Sequence, residues 1–167
     1  MTTRALLVCC SFLVAIPAGA QSITERAERD EIVHMAHEEP AMRKAFEQAH
    51  RTLDAFLQRA ASPAPGTTGY ALKVAVSDGR STEYFWGNRF VAEGSRFSGH
   101  LGNEPRLVKT YKFDQRFQFS REQIVDWTYV DTQAKRMHGN YTACALLTKE
   151  PPAQAEAFRQ HYGLSCD

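Results

Sequence analysis

The chain has 167 residues, and its 20 Lys and Arg side chains nearly balance its 19 Asp and Glu side chains. A protein that binds nucleic acid through the phosphate backbone needs an excess of basic side chains on one face, so this balance argues against that class. The length suits one domain with a single hydrophobic core.

The first twenty residues have the three parts of a secretory signal peptide. Arg4 supplies a positive charge, residues 5–16 form an apolar run, and Ala18 and Ala20 are the small residues expected before a cleavage point. The run is shorter than the roughly 20 residues that a spanning helix needs, which leaves an uncleaved anchor as the weaker alternative. We therefore predict cleavage after Ala20 and an exported protein that has no membrane span after cleavage.

Cleavage would change both the charge and the cysteine count. Arg4 is the one charged residue in the removed segment, so 19 basic and 19 acidic side chains would remain. Cys9 and Cys10 would also leave, and Cys144 and Cys166 would stay. An even pair in an oxidising compartment predicts one disulfide. A redox-active pair is the alternative, but the spacing is not C-x-x-C.

Residues 21–40 are a polar lead-in that contains His34 and His37. This spacing places two imidazoles on adjacent turns of a helix, which is half of a possible metal site. No firm third ligand is evident in the sequence, so surface histidines are the favoured interpretation. We predict no metal and no cofactor.

An amphipathic helix follows the lead-in. From Ala41 the apolar residues recur every three or four positions over about 18 residues, which predicts one core-facing stripe. Residues 62–66 are a Pro- and Gly-containing linker. At Tyr70 the period changes to two, which indicates that strands begin there.

Short segments of alternating or apolar residues predict a run of hairpins. They are residues 70–76, 82–86, 89–92, 95–98, 107–113, 116–119, 124–130 and 139–147, with loops at 99–105 and 131–138. Ser120 and Gln123 have capping-box spacing, and Pro152 begins a short helix that Gly163 ends. The prediction is an α+β fold: an N-terminal amphipathic helix and a short C-terminal helix packed on a curved, mainly antiparallel sheet, with residues 41–167 as one domain.

Polar and aromatic residues of the β region are the candidates for a binding groove. The chain has no nucleophile elbow, H-E-x-x-H, phosphate loop or dinucleotide fingerprint. The candidate binding residues are Trp86, His100, Asn103, Arg106, Asp126, Trp127 and Tyr141. Several of them have a structural alternative: a core position for the tryptophans, an Asx turn at Asn103, or backbone capping by Asp126.

Glu83 and Asp126 are the carboxylates that would suit a hydrolase. A glycoside hydrolase needs two carboxyl groups about 5–10 Å apart on either side of the scissile bond. A catalytic pair should face a cleft, with a raised pKa and a second acid or histidine nearby. If both carboxylates cap backbone groups instead, the hydrolase hypothesis fails.

The order of several short motifs resembles one family. The motifs are Leu72-Lys73-Val74, Asp78-Gly79, Glu83-x-Phe85-Trp86, Phe97-Ser98-Gly99, Asn103-Glu104-Pro105, Ile124-Val125-Asp126-Trp127 and Gly139-Asn140-Tyr141-Thr142. As an ordered set over residues 42–147 they resemble the YegJ-like family of bacterial proteins, a domain of unknown function. The chain departs from the family at Asp114-Gln115, where Gly-Asp is usual.

The resemblance implies a bacterial source, and therefore a periplasmic address for an exported chain. It implies no active site, but some similar domains are suspected immunity proteins because they occur near toxin systems. The expected function is a non-enzymatic periplasmic domain that binds another protein or a small envelope ligand. The alternatives are an immunity protein against an envelope-acting toxin and a small hydrolase of envelope polymers.

Overall fold

The computed structural model describes residues 39–166, so the predicted signal peptide and the His34–His37 pair lie outside the described residues. Its elements in chain order are α1 (Pro40–Ala61), β1 (Thr67–Ser77), β2 (Thr82–Glu93), β3 (Arg96–Leu101), β4 (Arg116–Ser120), a 3-10 turn (Arg121–Gln123), β5 (Ile124–Asp131), β6 (Arg136–Gly139), α2 (Tyr141–Leu147) and α3 (Pro152–Tyr162). The strands form one open antiparallel sheet in the order β4-β3-β2-β1-β5-β6. The predicted α+β fold is confirmed.

Helix α1 buries the predicted apolar stripe against the sheet. The buried side chains of this helix are Met42, Ala45, Ala49, Leu53 and Phe56. Phe56 stacks on the indole of Trp127 with 4.8 Å between ring centroids. The aromatic and aliphatic side chains on this side of the sheet form the main core.

The strand register separates two faces of the sheet. Residues directly opposite each other in an antiparallel pair point to the same side, and successive residues alternate. Leu72 lies opposite Trp127, and this side, which α1 covers, is called the inner face. Lys73 lies opposite both Trp86 and Asp126, on the other side of the sheet, which is called the outer face.

Two predicted strands are in fact one. The segments at 82–86 and 89–92 are joined in β2, which has a bulge where its register against β3 shifts between Asn88 and Val91. Arg89 has a φ of 49° at this bulge. The loop predicted at 99–105 begins later than predicted, because Gly99, His100 and Leu101 belong to β3.

The predictions for 107–113 and 139–147 were wrong, because neither segment is a strand. The backbone N–H groups of Leu107 and Val108 bond to the Glu83 side chain rather than to a neighbouring strand. At the second segment Gly139 (φ 72°) and Asn140 (φ 53°) turn the chain away from the sheet into α2. The predicted loop at 131–138 likewise contains the start of β6.

The C-terminal helix and the disulfide are confirmed. Helix α3 ends at Gly163, whose φ of 63° is the left-handed conformation that glycine adopts without steric cost. Cys144 and Cys166 are joined, with 5.5 Å between their Cα atoms. The bond ties the C-terminus to helix α2, not to a strand as predicted.

Candidate functional site

Glu83 is a buried carboxylate that organises the stretch after β3. Its side chain is on the inner face, because the residue lies opposite Val76, and it is only 2% exposed. The backbone N–H of Arg106 donates to Oε1 at 2.9 Å, and those of Leu107 and Val108 donate to Oε2 at 2.8 and 3.0 Å. The carboxylate therefore caps an irregular backbone segment.

Asn103 closes the same edge of β2. Strand β3 ends at Leu101, and beyond it the Oδ1 atom of Asn103 accepts the backbone N–H of Trp86 at 3.0 Å. The carbonyl of Trp86 accepts the N–H of Gly102 at 2.7 Å. The Asn103 side chain thus supplies an acceptor that a longer β3 would have provided.

Asp126 has a corresponding role at β5. This residue is fully buried on the outer face, next to the start of helix α2. Its Oδ2 atom accepts the backbone N–H of Thr142 at 2.8 Å and the Thr142 hydroxyl at 2.7 Å, while Oδ1 accepts the N–H of Trp127 at 2.8 Å. Helix α2 is therefore fixed beside β5 by a carboxylate at its first turn.

These contacts argue against Glu83 and Asp126 as the catalytic pair of a hydrolase. Glu83 and Asp126 project from opposite faces of the sheet, so they cannot stand on either side of one scissile bond. Both carboxylates accept hydrogen bonds from backbone N–H groups, which is the capping role that we set against the hydrolase hypothesis.

Lys73 completes a polar cluster with Asp126 and Thr142. Its Nζ atom donates to the Thr142 hydroxyl oxygen at 2.9 Å and lies 5.1 Å from the centroid of the Trp86 ring. Burial lowers the pKa of Lys73, and the charge of Asp126 opposes that shift. Burial also raises the pKa of Asp126, while Lys73 and the Thr142 hydrogen bonds oppose it. Lys73 and Asp126 are both hydrogen-bonded to Thr142, and these contacts connect β1, β5 and α2.

Trp127 and Tyr141 lie with the inner-face core rather than with Asp126. The Trp127 indole is 7% exposed, and its Nε1–H is 3.2 Å from the carbonyl oxygen of Ala49 and 3.1 Å from Oγ1 of Thr52. Tyr141 packs edge-on against that indole at 5.5 Å. The structure therefore does not bring together the predicted groove of Trp86, Asn103, Asp126 and Trp127.

The outer face of β2, β3 and β4 carries an exposed polar cluster at His100. Asp114 accepts a hydrogen bond from Arg89, and its carbonyl oxygen is 2.9 Å from Nδ1 of His100. Arg116 lies opposite His100, donates to Ser98 Oγ at 2.9 Å, and is 3.6 Å from Glu93. The side chains of Arg89 and Arg116 are 63% and 62% exposed.

Two residues that neighbour this cluster in the chain have exposed apolar side chains. Phe113 directly precedes Asp114 and is 58% exposed, and Val91 follows the Arg89 bulge and is 53% exposed. We call Arg89, Val91, His100, Phe113 and Asp114 the outer patch. Leu107, which is 47% exposed, is the third large apolar residue that stands out from the described surface. Arg106, a predicted binding residue, is exposed beside it and contributes its backbone N–H to Glu83.

Sequence reasoning did not single out Arg89, Val91, Phe113 or Asp114. The apolar run at 107–113 predicts a strand that includes Phe113, and a half-buried aromatic residue is ordinary in a strand. In the sequence Asp114-Gln115 stands out only as a departure from the family pattern. Asp114 has a left-handed φ of 59°, which glycine adopts without steric cost and which aspartate tolerates better than most residues do, so the turn can keep its backbone conformation with aspartate at this position.

Residues 39–166 offer neither a cluster of metal ligands nor a membrane-spanning helix. That part of the chain contains no group of three or more His, Cys, Asp and Glu side chains placed to hold a metal ion. It also contains no helix that combines the length and the apolar character needed to cross a bilayer.

Comparisons with known proteins agree with the resemblance seen in the motifs. Residues 39–166 match the family described as "Uncharacterized protein conserved in bacteria (DUF2314)". The chain is 26% identical over 156 residues to "Uncharacterized protein YegJ" of Escherichia coli (strain K12), covering 93% of this chain and 96% of that protein. No solved structure matches it significantly. The chain therefore belongs to this uncharacterized bacterial DUF2314 family.

Proposed function

We propose that this chain is an exported protein that works in the bacterial periplasm as a non-enzymatic binding domain for another protein. The observation that carries the proposal is the outer patch, where Phe113 and Val91 are exposed beside Arg89 and His100. Protein interfaces are enriched in aromatic residues and arginine, and their strongest contacts come from such residues.

The geometry of the outer patch favours recognition over chemistry. Asp114 holds Arg89 and contacts His100, so the polar side chains are oriented before a partner arrives. A preorganised surface loses less conformational freedom on binding than a mobile one. The two carboxylates that would have suited a hydrolase cap backbone groups elsewhere, which weakens that alternative.

The N-terminal sequence and the disulfide support export. A signal-like segment precedes a domain whose two remaining cysteines are paired, and such bonds persist in the periplasm but are rare in the cytosol. The test is N-terminal sequencing of the protein recovered by osmotic shock, together with an alkaline phosphatase fusion. We expect the sequence to begin at Gln21 and the fusion to be active. A cytoplasmic protein that keeps residues 1–20 would refute export.

The binding proposal is tested with a photo-crosslinking amino acid at position 113. In cells that produce the chain from its complete sequence, we expect a discrete crosslinked protein from position 113 and none from position 107. Leu107 is the matched control because it is also an exposed apolar residue, but it lies on the stretch that covers β2. Equal crosslinking from both positions, or none from either, would contradict the outer patch as the binding surface.

The same experiment separates a general binding domain from an immunity protein. If the crosslinked partner is an envelope-acting toxin, adding the purified chain should inhibit that toxin, and Phe113→Ala should reduce the inhibition more than Leu107→Ala. If the partner has no toxic activity, the immunity alternative is lost and the binding domain stands. A small envelope ligand in place of a protein would give no crosslinked protein and would move the search to other surfaces.

A further inference from the structure

Helix α3 packs in a small apolar cluster that is separate from the main core. The cluster consists of the buried residues Leu147, Ala155, Phe158 and Leu164, with Met137 of β6 packed against it. In the described part of the chain, no α3 residue belongs to the main core that α1 forms with the inner face. A helix of 11 residues is marginal by itself in water, where roughly 12–15 residues are needed even for good helix formers. The order of α3 therefore depends on its contacts with the rest of the fold.

The segment that follows α3 covers the outer edge of β6. The N–H of Met137 donates to the carbonyl of Gly163 at 2.9 Å, and Leu164 forms a parallel bridge to Met137. Cys166 follows Leu164 by two positions and is joined to Cys144 of α2. The C-terminal segment is thus connected to β6 by backbone contacts and to α2 by a covalent bond.

Helix α2 is attached to the rest of the fold independently of α3. Ala145 belongs to a buried cluster with Met42 of α1. The backbone N–H and the hydroxyl of Thr142 both donate to the buried carboxylate of Asp126. Helix α2 is therefore fixed to α1 and β5, and the disulfide connects the C-terminal segment to this fixed helix.

The disulfide lies where a thiol can reach it. Cys166 is exposed and Cys144 is half-buried, so attack on Sγ of Cys166 does not require the domain to unfold first. A dithiol would reduce the bond in two exchanges. Its first thiolate bonds to Sγ of Cys166 while Cys144 leaves as a thiolate and takes up a proton, and its second thiol then displaces Cys166. The cysteines gain the two electrons and two protons that the dithiol loses as it becomes a disulfide.

We propose that the Cys144–Cys166 disulfide is a redox-sensitive latch, whose reduction by a dithiol lets residues 152–166 separate from β6 and α2 while the sheet and α1 stay folded. The two cysteines are 22 positions apart in the sequence, and in the oxidised chain a separated segment is still part of a closed loop. Reduction frees its end, and the conformational entropy of the open chain raises the population of the separated state by about a hundredfold. This inference does not depend on the proposed function.

Separation changes what the edge of β6 presents. The N–H of Met137 loses its acceptor, the carbonyl of Gly163. The buried side chain of Leu147 loses the cover of Phe158. An uncovered strand edge is a template for pairing with another strand. The redox state of the two cysteines therefore determines how often this edge is uncovered.

The test is hydrogen–deuterium exchange, measured by mass spectrometry, on the folded chain in its oxidised form and after reduction by dithiothreitol. We expect the amides of residues 152–164 to exchange about a hundredfold faster after reduction, whereas those of β1 and β5 should keep their rates. Alkylation of the free thiols confirms that both cysteines have been reduced. Removal of the dithiol and reoxidation should restore slow exchange.

A chain without the two thiols is the control for other effects of the dithiol. Cys144→Ser together with Cys166→Ser should give fast exchange at residues 152–164 without dithiothreitol, and adding it should change nothing. If this variant fails to fold, the wild type reduced after folding provides the test by itself. Unchanged exchange at residues 152–164 after reduction, or equal acceleration in β1 and β5, would overturn the proposal. So would a disulfide that dithiothreitol reduces only in denaturant.

Discussion

Replacing Trp127 with alanine tests whether this residue belongs to the core or to a binding surface. The indole is 7% exposed, stacks on Phe56 at 4.8 Å and meets Tyr141 at 5.5 Å. A buried Trp→Ala change costs about 3–5 kcal/mol through lost burial and the cavity that remains. The indole N–H also bonds to Ala49 and Thr52, and loss of a typical hydrogen bond adds roughly 1 kcal/mol.

The expected loss is therefore about 4–6 kcal/mol, which is a large share of the roughly 5–15 kcal/mol that stabilises a native domain. With a urea dependence of about 2 kcal/mol per molar, the unfolding midpoint should fall by roughly 2–3 M. The assay is equilibrium unfolding in urea, with the disulfide intact, followed by far-ultraviolet circular dichroism. Trp127→Phe keeps an aromatic ring in place and should cost about 1–2 kcal/mol.

Trp86→Ala is the matched control, because it removes the same side chain from a half-buried site on the outer face. We expect it to shift the midpoint clearly less than Trp127→Ala does. Equal shifts would contradict the assignment of Trp127 to the core. A Trp127→Ala protein as stable as the wild type would do so more directly, and would return Trp127 to the binding candidates.

Three further changes test the buried side chains of Glu83 and Lys73 and the turn at Gly139. Glu83→Gln replaces one acceptor oxygen with a donor facing backbone N–H groups, so unfolding should cost about 1.5–3 kcal/mol less, whereas Glu47→Gln on the exposed side of α1 should change little. Gly139→Ala puts a Cβ 2.1 Å from the Trp127 carbonyl oxygen at a φ of 72°, and should cost roughly 3 kcal/mol or more. Gly94→Ala has a similar φ of 66° with nothing within 4 Å, and should cost only about 1–2 kcal/mol, and urea unfolding separates the two. Burial lowers the pKa of Lys73, so between that pKa and the ordinary value of about 10.4 the unfolded chain binds a proton that the folded chain has released, and stability should rise with pH. Lys73→Met should remove this rise, and an unchanged pH profile in alkaline urea titrations would contradict the burial of the amine.

Elements that signal through their own periodicity were predictable from the sequence. The stripe from Met42 to Phe56, the alternation of β1 and the proline and glycine that bound α3 each depend on neighbouring residues only. The strand predicted at 139–147 was wrong because a short apolar run is compatible with a strand and with a helix equally. The helix forms here because the backbone at Gly139 is left-handed and because Asp126, which belongs to strand β5, accepts the backbone N–H of Thr142.

The candidate site was less predictable for a related reason. A sequence shows which residues are polar or aromatic, but the face on which each one lies depends on strand register. Asp126 and Trp127 are adjacent in the chain and point to opposite sides of the sheet. The bulge in β2 is a second example, because Arg89, whose side chain bonds to Asp114, lies where the register shifts.

The polar residues that carry the family resemblance have structural roles in this fold. Strands β3 and β6 are short, so parts of β2 and β5 pair with β1 on one side and with no strand on the other. Asn103 and Glu83 hold an irregular segment along one of these gaps, and Asp126 with Thr142 holds helix α2 along the other. Such motifs identify a protein with this sheet without identifying what it binds. The residues that distinguish one partner from another should therefore be sought on the outer patch, where the side chains of Phe113, Val91 and Arg89 are exposed.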